Sequence, residues 1–139
     1  MIKKRIQKLI NRFDKYKIDG YVIPKNDEFF SEHTNKDRLN FISNFTGSAG
    51  YAIILKKKNY LFVDGRYTIQ AKIQSSKNFK IVDYKEIINT KLFKNLNLGI
   101  DPKLFTSDQI KRFFLKNNRV TIISENLIDN IFKLPIVLL

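Results

Sequence analysis

The apolar positions of this chain change period several times, and each change marks an element. Ile2, Ile6, Leu9, Ile10 and Phe13 recur at helical spacing, so residues 2–18 are predicted as an amphipathic helix. Arg5, Lys8, Arg12 and Lys15 form a stripe on what is expected to be its wet side. Asp19-Gly20 is the expected stop, with Gly20 as the left-handed residue. Tyr21-Val22-Ile23 reads as a short buried strand ended by Pro24, and residues 25–40 read as polar and irregular. Phe29 and Phe30 inside that stretch argue that it is anchored. Residues 41–45 lead into Gly47-Ser48-Ala49-Gly50. Tyr51-Ala52-Ile53-Ile54-Leu55 and Tyr60-Leu61-Phe62-Val63, joined by Lys56-Lys57-Lys58-Asn59, read as a β-hairpin. Asp64 is placed to cap a helix running from Gly65 to about Ser75.

The second half continues in the same manner. Phe79-Lys80-Ile81-Val82 is a strand, and Ile87, Ile88 and Leu92 predict a helix within 85–94. Leu96-Asn97-Leu98-Gly99-Ile100 is a strand halted by Asp101-Pro102. Thr106-Ser107-Asp108-Gln109 is a capping box, opening a helix that turns Ile110, Phe113 and Phe114 inward. Val120-Thr121-Ile122-Ile123 is the last strand, and residues 126–132 allow one or two helical turns. No repeat or low-complexity linker interrupts the order. Strands and helices interleaved in this way predict an α/β domain, a mixed sheet flanked by helices. The tail Leu134-Pro135-Ile136-Val137-Leu138-Leu139 is apolar throughout, so further protein or a partner is expected to cover it.

Composition narrows the chemistry. A chain of 139 residues that is 43% apolar can build one packed domain. With no Cys, disulfides, thiolate metal sites and Cys nucleophiles are excluded, and one His excludes any site needing two imidazoles. No apolar run approaches the roughly 20 residues of a membrane span. The basic Met1-Ile2-Lys3-Lys4-Arg5 start lacks the apolar segment of an export signal. The formal charge of +13 raises nucleic acid as a partner. Yet 20 of the 26 basic residues are Lys, beside 20 Ile and 14 Asn, a bias that A/T-rich codons produce. Arg, the usual base-reading residue, is scarce, which favours a solvated Lys-rich surface over a binding face.

No complete active site is visible in the residues. Gly47-Ser48-Ala49-Gly50 precedes a strand rather than a helix and lacks the Lys-Ser/Thr of a phosphate loop, so it reads as a tight turn allowing close backbone approach. The carboxylates Asp27, Glu28, Glu32, Asp37, Asp64 and Asp101 show no metal-ligand spacing. His33 reads as a hydrogen-bonded or solvated loop residue, and no Gly-x-Ser-x-Gly elbow is present. Asp64-Gly65-Arg66-Tyr67 carries more information. Arg66 falls in a first helical turn, where the dipole disfavours a cation. It is either a surface Arg paired to Asp64 or an Arg held at a strand end for a carboxylate or carbonyl.

Taken together, GYVIPKNDEFFSEH, RLNFISNFTGSAGYAIIL, LFVDGRYTIQA, LGIDPKLFTSDQI and ENLIDNIF resemble, in this order, the N-terminal domain of the creatinase/prolidase superfamily, nearest to its Xaa-Pro aminopeptidase branch. The resemblance spans about residues 1–132 and implies a ribonuclease-H-like α/β fold. It makes residues 133–139 the start of a linker to absent downstream domains. It implies enzymes that remove an N-terminal residue preceding proline. Two divalent metals, usually manganese, sit in a C-terminal domain on two Asp, one His and two Glu, with a bridging hydroxide as nucleophile. The N-terminal domain helps build homo-oligomers and closes over the substrate. Carried onto this chain, Arg66 is the substrate contact and Gly47, Gly50, Asp64 and Gly65 are structural. No catalytic or metal-binding residue is implied here, so the chain is expected to be inactive without a catalytic domain or partner chain. The implied setting is cytoplasmic. Phe29, Phe30, His33 and Phe132 depart from the family pattern. The rival reading is a stand-alone basic module that binds nucleic acid or a protein.

Overall fold

The computed structural model describes residues 1–26, 37–88, 92 and 94–132. Its centre is a six-stranded sheet made of β1 (Gly20–Pro24), β2 (Gly50–Leu55), β3 (Asn59–Val63), β4 (Lys80–Asp83), β5 (Asn97–Ile100) and β6 (Arg119–Ile122). The order across the sheet is β4-β3-β2-β1-β5-β6. β2 runs antiparallel to both neighbours, and the remaining pairs are parallel, so the sheet is mixed as the sequence predicts. β1 is an inner strand buried along its whole length, which accounts for its unbroken apolar run.

Alternation along the strands sorts the core into two layers. On one face Tyr21, Ile23, Ala52, Ile54, Leu61 and Val63 pack beneath α1 (Ile2–Ile10), α2 (Phe13–Tyr16), α3 (Arg38–Ser43) and α4 (Thr68–Ser75). A C-terminal helix, Leu127–Phe132, joins the same layer. On the other face Val22, Ile53, Tyr60, Phe62, Leu98 and Ile100 meet Ile87 and Phe114. Phe114 belongs to a helix that starts at Ser107–Gln109 and widens into a π-helical stretch over Ile110–Leu115. Its capping box forms as expected, the Thr106 hydroxyl accepting from Gln109 N–H at 3.1 Å and the Gln109 side chain accepting from Thr106 N–H at 2.9 Å.

Register sets the geometry that matters for function. Gly50 pairs with Val63, and Val63 pairs with Asp83. The ends of β1, β3, β4, β5 and β6 therefore share one edge with the start of β2. In mixed α/β sheets, loops at the carboxyl ends of parallel strands are where ligand contacts gather.

Several local expectations are corrected. The helix predicted over 2–18 breaks after Ile10 and resumes over Phe13–Tyr16. Its left-handed stop is Lys17, at φ 55°, and not Gly20, which begins β1. Arg5 does not face water with its stripe. Its guanidinium donates to the Phe41 carbonyl at 2.6 Å and lies 3.9 Å over the Phe41 ring. The stretch read as irregular up to residue 40 already holds the start of α3, because Asp37 caps it by accepting from Asn40 N–H at 3.0 Å. α3 buries Arg38, which is only 1% exposed. Its Nε and Nη2 donate to the two Asp129 oxygens at 2.9 and 2.8 Å, joining α3 to the C-terminal helix. Within 85–94 the described residues form a 3₁₀ turn over Tyr84–Ile88, not an α-helix.

Candidate functional site

Asp64 stands where β3 leaves the sheet. Its backbone is extended (φ −63°, ψ 145°), and its carboxylate accepts from Arg66 N–H at 2.9 Å, closing a 3₁₀ turn over Gly65–Tyr67 that leads into α4. The predicted helix from Gly65 thus begins as a tighter turn. Arg66 Nε donates to the same Asp64 oxygen at 3.3 Å, and the guanidinium lies 5.5 Å from the Tyr67 ring centre. The Arg66 N–H, assisted by its guanidinium and by Lys85, holds the Asp64 carboxyl below its ordinary value of 3.8 against a smaller desolvation effect. The Arg66 side chain is 75% exposed. The pairing with Asp64 that the sequence allowed is therefore present through the backbone N–H and Nε, and most of the cation faces solvent.

Residues 46–50 complete the strand-end surface. The hydroxyls of Ser48 and Tyr67 hydrogen-bond at 2.6 Å, and Tyr67 packs edge-on against Phe45. Thr46 is gripped from α4. Its hydroxyl accepts from Gln70 and Gln74 at 2.9 and 2.8 Å, and its N–H donates to the Gln74 side-chain oxygen at 3.0 Å. Neither Gln70 nor Gln74 stands out in the sequence as a partner of Thr46. The available signal was the pair of Gln side chains four apart on one helical face, opposite a lone Thr.

The glycines differ in what they require. Gly50 has φ 153°, and a Cβ there would lie 2.9 Å from the Phe62 carbonyl oxygen. A Cβ on Gly47 would lie 2.2 Å from Cζ of Phe45, which is fully buried. On Gly65 the nearest atom would be an Asp83 carboxylate oxygen at 3.8 Å, an ordinary contact.

Other candidates are dispersed. Asp101 is buried and occupied: it accepts from Lys103 N–H at 3.0 Å and from the Asn126 side chain at 3.0 Å. Asp37 both caps α3 and pairs with Lys25. His33, Asp27, Glu28, Glu32, Phe29 and Phe30 lie outside the described residues. Among the described residues, no three His, Asp or Glu side chains gather to hold a metal. Nor is any helix there long and apolar enough to cross a membrane.

Comparison with known proteins follows the same outline. Residues 5–130 match the family model of the creatinase/prolidase N-terminal domain. A probable Xaa-Pro aminopeptidase P from Laccaria bicolor is 34% identical over 140 residues, an alignment covering 91% of this chain but 22% of the relative. In fold, the chain is similar to an X-prolyl aminopeptidase from Caenorhabditis elegans, a cytosolic enzyme with a di-nuclear active site. The TM-score is 0.82 at 23% identity, covering 96% of this chain and 26% of that one. The N-terminal domain of the cytoplasmic peptidase PepQ from Mycobacterium tuberculosis gives a TM-score of 0.70 at 18% identity, covering 92% of this chain and 98% of that one. The chain thus spans roughly a fifth of the full-length relative and nearly all of the separately solved domain.

Proposed function

Because the chain belongs to the creatinase/prolidase N-terminal domain family, we propose that it serves as the non-catalytic N-terminal domain of an Xaa-Pro aminopeptidase-like metallopeptidase. In this reading a catalytic domain, on the same or a partner chain, supplies two divalent metals, manganese being the expected ion. This chain supplies a cation at the rim of the substrate site. Residues 133–139 begin the connection to that domain, and the assembled enzyme is a cytoplasmic homo-oligomer acting on peptides with proline in second position.

The observation that carries the proposal is the state of Arg66. A cation tethered through its own backbone N–H and Nε to one carboxylate, yet 75% exposed, is oriented without being consumed by its ion pair. A guanidinium so held can donate to a peptide carbonyl or carboxylate with little further ordering. Asp64 positions it through the backbone N–H and Nε and does not itself need to touch substrate.

The test uses the chain itself and a chimera in which it replaces the matching domain of the C. elegans enzyme. The chain alone should release no first residue from an Xaa-Pro peptide, with or without manganese, and the chimera should release it. In the chimera Arg66→Ala should lower kcat/KM by about tenfold or more, the value of one charge-assisted hydrogen bond. Arg66→Lys should restore only part, because Lys lacks the planar fork. Metal-dependent peptidase activity of the chain alone would overturn the non-catalytic reading. An unchanged kcat/KM in Arg66→Ala would overturn the role of Arg66.

A further inference from the structure

The turn that follows β4 passes beside Asp64 and then drops onto the opposite face of the sheet. There Tyr84–Ile88 and the π-helical Ile110–Leu115 border a cleft of about 470 Å³. Among the described residues its lining is Tyr84, Lys85, Ile87, Arg112, Phe113 and Lys116, three apolar residues and three cations with no carboxylate. Ile87 is buried at the floor, whereas Tyr84 remains 42% exposed at the rim. The helix forming one wall has π-helical backbone, a rare form that recurs where helices carry function. Lys116 also borders an adjoining depression of about 310 Å³ with Lys94 and Arg119, which extends the positive surface.

From this arrangement we propose that the cleft is a docking site for an acidic peptide segment of another protein that inserts one apolar side chain. The apolar floor takes the side chain, and Lys85, Arg112 and Lys116 take carboxylates on either side of it. At this cleft net charge disfavours a second copy as the occupant, since a chain of net charge +13 would bring mostly further cations against these three. Ring geometry disfavours nucleic acid. Phe113 already carries the Arg112 guanidinium 5.7 Å from its ring centre and packs edge-on against Phe114 at 6.2 Å. Among the described lining residues Tyr84 is the exposed aromatic, whereas sequence-independent strand binding uses successive stacking platforms. Arg112 is also paired with Asp108 at 3.6 Å, both side chains being largely exposed. An incoming carboxylate exchanges with that weak pair instead of breaking a buried one.

The experiment measures fluorescence anisotropy of the labelled peptide Asp-Glu-Phe-Glu-Asp with the full chain, against Asp-Glu-Gly-Glu-Asp and a labelled oligothymidylate. The Phe peptide should bind about tenfold more tightly than the Gly peptide, the difference reporting burial of its ring. Lys116→Glu and Lys85→Glu should each weaken the Phe peptide severalfold. Lys3→Glu, on α1 across the sheet, should not. These side chains are exposed, and unchanged thermal melts confirm that each variant is folded. Equal affinity for the Phe and Gly peptides would overturn the proposal, as would equal losses from Lys3→Glu and Lys116→Glu. An absence of peptide binding would do the same. So would an oligothymidylate that binds more tightly and loses its affinity in Lys116→Glu, which would make the cleft a nucleic-acid site.

Discussion

Replacing Gly50 and Gly65 by Ala, one at a time, separates backbone necessity from mere presence in a motif. At Gly50 the φ of 153° lies where L side chains rarely sit, and the new Cβ would stand 2.9 Å from the Phe62 carbonyl oxygen. That carbonyl belongs to β3, whose Val63 pairs with Gly50 itself, so it cannot withdraw without opening the hairpin. A residue forced into such a region costs about 1–3 kcal/mol, and the contact adds to this, so about 2–3 kcal/mol is expected. For a chain between the usual size classes, roughly 3–5 °C of Tm per kcal/mol makes the loss about 6–15 °C. Gly65 has no such constraint, its nearest foreign atom being 3.8 Å from the would-be Cβ. Ala there restricts the unfolded chain and suits the 3₁₀ turn, so stability should be unchanged or rise by up to about 1 kcal/mol. Thermal melts and urea titrations of the two variants at one pH give both numbers. If Gly50→Ala melts within error of the parent, the strand-end geometry is not imposed by the hairpin. If Gly65→Ala falls as far as Gly50→Ala, a turn constraint invisible in the local contacts is acting.

Two more outcomes follow from ionic groups. Asp64 has its carboxyl held below 3.8 by the Arg66 N–H, so its stabilisation is complete above the unfolded carboxylate value and lost as pH falls through the lower folded value. Asp64→Asn should therefore melt below the parent at neutral pH, and the two melting curves should converge at strongly acid pH; a gap that is constant with pH would refute the linkage. Asp129→Ala removes a bidentate partner from buried Arg38 and should cost about 3 kcal/mol, whereas Arg38→Met with Asp129→Leu should cost less, as urea unfolding will show.

The strands were legible because burial forces their period. Tyr21 and Ile23 face one layer and Val22 the other, and the hairpin repeats this alternation, so apolar spacing alone located the sheet. The Thr106 capping box was legible because both of its hydrogen bonds are made within four residues. What the pattern could not convey was the depth of a charge. Arg5, Arg38 and Arg66 look alike in sequence. Arg5 became a clamp because Phe41, 36 positions away, offers a ring and a carbonyl. Arg38 became core because Asp129, 91 positions away, arrives on the last helix. Only Arg66 finds its partner two residues off, and that locality made its pairing with Asp64 visible in the sequence. Arg66, paired within its own turn, stays at the surface, while Arg5 and Arg38, held by partners far along the chain, are drawn inward. The near partner leaves most of the Arg66 cation at the surface, whereas its proposed contact with substrate was read from the family resemblance and not from this pairing.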